Sequence, residues 1–385
     1  MTLDELTAWL RLSLTEGIGH EAAQRLLRCF GDPQAVFAQP GSALREVVSA
    51  AQADALQEVP LTLAAQLART QHWLAHSPTD VERALWPLGH AQYPAAFLHL
   101  SHPPLMVYAQ GQLSWALPDA VAMVGSRNPT PQGAQTAEQL ACALARAGMC
   151  VVSGLALGVD GAAHRGALQA APVTPTSSPT HAPRPCVRTI AVVGTGLDRV
   201  YPRQHHALAQ AIAAQGWLLS EYPLGTPPLA HHFPQRNRLI AALGLGTLVV
   251  EAALQSGSLI TATQALELGR EVLAIPGSIH APQSRGCHAL IRDGAKLVET
   301  AQDVLDELRP SHQGLLAHDG ADSRAQASAA HPLLEHMGHV PVSLEALQAR
   351  CHWDTPTLLG ALLTLELDGS VARMSGGLFQ RLGAT

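Results

Sequence analysis

The sequence predicts an α/β fold: a largely parallel sheet covered by helices on both faces, with a helical region before it and a winged helix after it. Three observations carry that expectation. Between residues 120 and 277, short apolar runs alternate with Ala- and Leu-rich helical stretches, the pattern of β-α units whose strands are buried on both sides. The runs end in small or polar corners (GSR, SGLA, GTG, SEYP and VVEA), and in this architecture ligands collect at the carboxyl ends of the strands. The tail carries two helical stretches, a turn at Asp368–Gly369 and two short strands around Gly376–Gly377.

Composition narrows the class. A chain of 385 residues is long enough for two or three domains. The divisions expected are a helical domain at 1–76, the sheet domain at 77–310, a linker at 311–331 and the winged helix at 332–385. No run of 18 apolar residues is present, so no membrane span is expected. The opening MTLDELTAWL is acidic where a signal peptide is basic, and six cysteines lie scattered without a CxxC pair. Both point to a soluble protein of the reducing cytoplasm. The net charge of −6 argues against a polyanion partner, but its distribution does not: residues 120–310 hold 14 Arg and Lys against 12 Asp and Glu, the remainder 10 against 18. Lys296 is the sole lysine and lies in DGAKLVET, so a Walker A loop is absent and P-loop ATP hydrolysis is excluded.

The elements follow in order. Residues 1–76 read as short helices, and TEGIGHEAAQRLLRCFGDP has Gly17 and Gly19 ahead of an amphipathic run ending at Gly31 and Pro33. That is a helix-hairpin-helix pattern, or equally a plain turn in a small bundle. LMVY near residue 106 reads as a strand docking on the sheet domain. The histidines around it lack the partners of a metal site, and no metal or cofactor is expected. VAMVGSRNPTPQG, 121–133, is a strand feeding a helix through a glycine turn, and such helix starts offer unpaired N–H groups to an anion. Arg127, within the turn, can hold a phosphate from the side. MCVVSGLALGVDGAAHRGAL adds a strand, the Ser153–Gly154 corner and Asp160, and TIAVVGTGLDRVYP adds a strand and the Gly194–Thr195–Gly196 corner. APVTPTSSPTHAPRPCVR, within 171–188, reads as an extended, solvated, proline-rich insertion. In LAHHFPQRNRLIAAL, Arg236, Asn237 and Arg238 are expected just ahead of a helix, with no acid between Glu221 and Glu251 to pair them. Phosphate contact is the favoured reading there, and Arg203 in VYPRQHH is a further candidate. Phe233, Tyr201 and Tyr222 are the nearest stacking residues. Residues 355–367, the reading helix of a winged helix, contain no Lys or Arg, so major-groove reading is implausible there and a protein contact or packing role is expected.

Taken together these motifs resemble the DprA/Smf family of DNA-processing proteins, along nearly the whole chain. The carriers are YP…PP before the sheet, VGSR at 124–127, SGLALGVDGAAHRGAL at 153–168, GTGLDRVYP at 194–202, FPQRNRLIAAL at 233–243 and GSLITATQALELGREVLAIPG at 257–277. The resemblance implies an extended Rossmann-like domain between a helix-hairpin-helix (SAM-like) N-terminal domain and a winged helix. It implies a single-stranded-DNA-binding mediator of natural transformation with no catalytic step. Such a protein protects incoming strands, helps load the RecA recombinase in competition with single-strand-binding protein, and forms homodimers. It makes Arg127 the DNA-contacting arginine of the glycine turn and Arg203 the basic residue after YP; joined with the strand-end reading, the DNA contacts expected are Gly125, Ser126, Arg127, Gly154, Gly194, Thr195, Gly196, Arg203, Phe233, Arg236, Asn237 and Arg238. Arg203 stands where the family commonly has lysine, and Gln204, His205 and His206 depart from the usual continuation. The rival reading is a nucleotide-binding hydrolase of the lysine-decarboxylase-like (phosphoribohydrolase) type, with Asp160 or Glu251 as acids. Its PGGxGTxxE signature is not met by LGLGTLVVEA.

Overall fold

The computed structural model describes residues 1–170, 185–309, 331–337, 341–374 and 377–382. Six helices open the chain: α1 (Leu3–Leu14), α2 (His20–Phe30), α3 (Pro33–Phe37), α4 (Gly41–Arg45), α5 (Ala50–Gln57) and α6 (Leu63–Ala75). Their starts are set locally. Thr2 and Glu5 form a reciprocal capping box on α1, Asp32 caps α3, and Ser49 with Gln52 boxes α5.

The central domain then runs β1 (Glu82–Pro87), β2 (Met106–Gly111), β3 (Ala120–Val124), α7 (Pro131–Arg146), β4 (Cys150–Ser153), α8 (Val159–Gln169) and β5 (Thr189–Val192). It continues with α9 (His206–Gln215), β6 (Trp217–Ser220), α10 (His232–Leu243), β7 (Gly246–Val249), α11 (Ser258–Glu267), β8 (Glu271–Ala274), α12 (Arg285–Arg292), β9 (Lys296–Leu297) and α13 (Ala301–Leu308). One nine-stranded sheet results, in the order β1-β2-β6-β5-β4-β3-β7-β8-β9. From β6 to β9 it is parallel, as the sequence pattern predicts, and β1 and β2 extend it antiparallel beyond β6. β3 shows why its sequence is apolar throughout. Val121 and Met123 enter the core on one face, Ala120, Ala122 and Val124 the core on the other. Chain order reverses at β3, whose neighbours are β4 on one side and β7 on the other. That is the switch point at which such sheets open a crevice.

The tail folds as α14 (Pro332–Met337), β10 (Val342–Ser343), α15 (Leu344–Cys351), α16 (Thr355–Leu367), β11 (Val371–Arg373) and β12 (Leu378–Arg381), a winged helix with its own core of Leu347, Leu358, Leu362, Leu365 and Phe379. It rests on the start of α7, where Gln380 Nε2 donates to Gln132 Oε1 at 2.8 Å.

Two expectations are adjusted. The proline-rich insertion lies outside the described residues for 171–184, but its last residues are packed, not solvated. Val187 is buried and donates its N–H to Ala116 O at 3.0 Å, and Arg188 donates to Ala170 O at 2.6 Å. The expected linker lies outside the described residues except His331.

His164 on α8 is fully buried, with Nδ1 2.7 Å from Thr189 Oγ1. Thr189 donates its own proton to Val151 O, so the imidazole Nδ1 is the donor toward Thr189 Oγ1. Burial pushes its pKa down to about 3, reinforced by nearby His205, Arg236 and Arg165. An unfolded histidine takes a proton near pH 6.5, the folded one only far below. Stability from this group is therefore complete above that value and is lost as pH falls toward 3. The difference in unfolding free energy between wild type and His164→Asn is expected to shrink by about 1.4 kcal/mol per pH unit between pH 6 and 4. Urea titrations across that range check it, and a pH-independent difference contradicts it.

Candidate nucleic-acid interface

At the carboxyl ends of β3, β4 and β5 the chain makes three corners, and α10 starts above them. The β3 corner is fixed first: Ser126 N–H donates to Glu251 O at 2.6 Å, and Asn128 N–H donates to Ser126 Oγ at 3.1 Å. Arg127 is left exposed between them. The N–H groups at the start of α7, expected to be open to an anion, are not. Glu251 occupies that position, its carboxylate accepting from Thr130 N–H at 2.9 Å and from Thr130 Oγ1 at 2.6 Å. A Cβ on Gly133 would run into this carboxylate. The helix start is thus neutralised by the protein's own acid, the favourable end for a negative charge, although burial still raises the Glu251 pKa.

The β4 corner is organised the same way. Asp160 is buried and accepts from Gly154 N–H at 3.1 Å and Ala156 N–H at 3.3 Å. Against it lies Arg236. The sequence reading makes Arg236 a phosphate contact ahead of a helix. Instead it sits inside α10, 3 % exposed, and its Nη1 donates to Gly154 O at 2.8 Å and to Val192 O. A Cβ on Gly154 would lie 2.6 Å from Nη1, which is why that corner holds glycine. Burial pushes Asp160 up and Arg236 down to about 10, each opposing the other's shift. Arg236 therefore fastens the ends of β4 and β5 together from beneath.

Arg238 is also committed within the protein. It pairs with Glu221, which lies 3.6 Å from His20 of α2. The absence of acids between Glu221 and Glu251 does not leave it unpaired, because the sheet brings the end of β6 against α10. Asn237 Nδ2 donates to Gly257 O at 3.4 Å and ties α10 to α11.

Exposed Arg127 and Tyr201 flank the half-buried Phe233. The Arg127 guanidinium carbon stands 5.6 Å from the centre of the Phe233 ring, and Phe233 lies 5.3 Å from the Tyr201 ring. Two residues beyond Tyr201, Arg203 is exposed at the start of a 3-10 turn. Gly194, Thr195 and Gly196 are buried below: Thr195 O accepts from Ser220 Oγ at 2.6 Å, and Gly196 N–H donates to Thr226 O at 3.2 Å. Of the residues singled out from sequence, the structure brings Arg127 and Phe233 together beside Tyr201, and leaves Arg203 exposed two residues further along the chain. It places Arg236, Asn237 and Arg238 in the support. Sequence reasoning misses His232, which stacks on Tyr222 at 3.9 Å with Nδ1 3.2 Å from Gly194 O, and exposed Arg199 in the same loop as Tyr201. The only signal for Arg199 is its place inside GTGLDRVYP.

The crevice at the switch point is a cavity of ≈ 1040 Å³ between the sheet and the winged helix, lined by Thr130, Glu251, Ile275, Ser278, Met374 and Gln380 among others, with no Arg or Lys in its lining. With Glu251 bonded to Thr130 and no Arg or Lys among the described lining residues, this geometry does not favour the hydrolase reading. Among the described residues, no helix is long and apolar enough to cross a membrane.

A parallel sheet extended by antiparallel strands, with small-residue corners at its strand ends, a helical front and a winged tail, defines an extended Rossmann-like α/β protein. Residues 84–309 match the family model for DNA recombination-mediator protein A, and residues 317–377 match that for the DprA winged helix domain. Protein Smf of Escherichia coli (strain K12) is 37% identical over 338 residues, 84% of this chain and 85% of that one. DNA processing protein DprA of Streptococcus pneumoniae is 44% identical over 215 residues, 56% of this chain and 71% of that one. The X-ray structure of DprA from Streptococcus pneumoniae superimposes with a TM-score of 0.63 at 32% identity, covering 80% of this chain and 98% of that one. The chain belongs to the DNA recombination-mediator protein A family, the DprA/Smf proteins.

Replacing Arg236 by alanine removes the buried hydrogen bonds to Gly154 O and Val192 O and a cation near the buried Asp160. The expected cost in unfolding free energy is on the order of 3 kcal/mol, from buried hydrogen bonds made by a charged group. Arg127→Ala, at an exposed position, is expected to change it by less than about 0.5 kcal/mol. Urea denaturation of both variants checks the assignment, and a mild effect of Arg236→Ala contradicts it.

Proposed function

We propose that this protein is a single-stranded-DNA-binding recombination mediator. It covers incoming strands during natural transformation and helps deliver them to RecA in competition with single-strand-binding protein, acting as a homodimer and without a catalytic step. The supporting observation is the row Arg127–Phe233–Tyr201 at the strand ends, a half-buried ring between two exposed side chains, with exposed Arg203 next along the chain. The two guanidinium groups hold phosphates, Arg by a fork of donors matched to their oxygens. The two rings between them offer a stacking platform that tolerates any base. A flexible strand follows such a line, whereas a duplex keeps its bases paired and away from the rings. Gly125 and Ser126, beside Arg127, form the corner that the backbone of the strand approaches, and the buried Gly154 and Gly194–Gly196 corners support it from below.

Binding of oligo-dT and of a duplex, measured by gel shift at two salt concentrations, tests the reading. Wild type is expected to prefer oligo-dT and to weaken with salt. Arg127→Ala is expected to lose roughly ten-fold in affinity and to flatten the slope of log K against log salt by about 0.7 for one lost single-strand phosphate contact. Unchanged affinity in both Arg127→Ala and Arg203→Ala overturns the proposal and leaves a protein adaptor.

A further inference from the structure

Helix α6 brings an exposed guanidinium against the loops of the strand-end site. Between Val59 and Thr79 the chain has no Asp or Glu, and Arg69 is its one Arg or Lys. Leu63, Gln66, Thr70 and Trp73 are buried under the helix, while Arg69, His72 and His76 stand exposed. Spacings of three and four place those three on one face. Arg69 Nη1 donates to Leu224 O at 3.0 Å, and a Cβ on Gly225 would run into the guanidinium. The loop it touches is bonded to the one carrying Tyr201 and Arg203. Gly225 N–H donates to Asp198 Oδ1 at 2.7 Å, and Gly196 N–H donates to Thr226 O at 3.2 Å. Asp198 is thus engaged with backbone, and exposed Arg199 follows it. Among the described residues no carboxylate pairs with Arg69. Further along the helix the rings of His72 and His76 stack with their centres 4.0 Å apart. Arg83 holds that end of α6, donating to Trp73 O at 3.1 Å and His76 O at 2.8 Å.

We propose that a bound single strand runs past Arg203 onto the helical domain, where Arg199 and Arg69 hold its phosphates and the His72–His76 rings take a base. The inference rests on strand binding at Arg127, Phe233 and Tyr201 as proposed above. The chemistry of that row is repeated on α6: a guanidinium fork matched to phosphate oxygens beside exposed flat rings on which an unpaired base stacks, imidazole included. Leu224 O engages only one edge of the Arg69 fork, so Nε and Nη2 are left without a protein acceptor among the described residues. The bonds from Arg69 through Leu224–Thr226 to Gly196 and Asp198 hold the two groups of cations in one unit, whereas an arginine on a separate face has no such link. The helix rises about 10 Å from Arg69 to His76. The extension therefore adds a few nucleotides to the footprint, and a strand too short to reach α6 gains nothing from it.

Strand length tests this. Oligo-dT of about 6 and of about 25 nucleotides, one near the low end of the usual ~4–16 nucleotide sites and one beyond them, are titrated against the full chain by fluorescence anisotropy. Wild type is compared with Arg69→Gln, whose amide still donates to Leu224 O but carries no charge, with His72→Ala/His76→Ala, and with Arg127→Ala. Arg69→Gln and the double histidine variant are each expected to lose roughly five-fold in affinity for the long strand and less than about two-fold for the short one. Only Arg69→Gln flattens the long-strand slope of log K against log salt, by about 0.7. Long-strand affinity equal to wild type in both α6 variants overturns the extension. So does an equal loss by Arg69→Gln on both lengths, which makes Arg69 a tether of the Leu224–Thr226 loop. Arg127→Ala separates this failure from that of the underlying reading. If it loses affinity on both lengths while the α6 variants match wild type, the extension alone is wrong. If it too matches wild type, the strand-end site itself is wrong and the extension falls with it.

Discussion

Everything at the carboxyl edge of this sheet depends on one buried charge. Arg236 reaches from α10 under the β4 corner, donates to the carbonyls of Gly154 and Val192, and faces Asp160. A guanidinium without a counter-charge is too costly to keep in such a place, and a carboxylate without one equally so. Each makes the other tolerable, and together they lock two strand ends and a helix start into one unit. The corner glycine follows from that, since any side chain at Gly154 collides with the guanidinium.

Buried pairing and surface display are thus divided among the arginines. Arg238 pairs with Glu221, Arg236 is spent on the carbonyls of Gly154 and Val192 near Asp160, and both hold α10 in place. That fixes Phe233 in the first turn of α10, and Phe233 in turn meets Tyr201 and Arg127. The same division applies to acids. Glu251 and Asp160 occupy backbone N–H groups that a bound mononucleotide takes in other sheets of this kind. Closing those sites with internal carboxylates leaves the exposed cations as the places where a polyanion can be held.

Much of this was legible in the residues. Strands buried on both faces, their small-residue corners and the winged tail follow from period and turn chemistry, and the motifs from VGSR to FPQRNRLIAAL point to the family. The roles of the RNR arginines were not legible. Local sequence shows no acid near them, but Glu221 and Asp160 arrive through the sheet, from the end of β6 and from α8. An ion pair across the fold has no period and no spacing. The Thr130–Glu251 contact is hidden for the same reason, joining residues on either side of the switch point. β1 and β2 extend the sheet through antiparallel pairing, which proline- and histidine-rich flanks disguise. The α16 helix, without Lys or Arg, was readable as one that does not read DNA, but only its burial pattern shows which leucines face outward.

The central claim is that the buried Arg236, bonded to Gly154 and Val192 near Asp160, presents the corners so that a strand lies along Arg127, Phe233, Tyr201 and Arg203. Hydrogen–deuterium exchange of the full chain with and without oligo-dT tests it most directly. The account predicts slowed exchange in Ser126–Pro129, Val193–Arg203 and His231–Gln235. Protection that appears instead along the opening helices or α15 and α16, with those three segments unchanged, contradicts it.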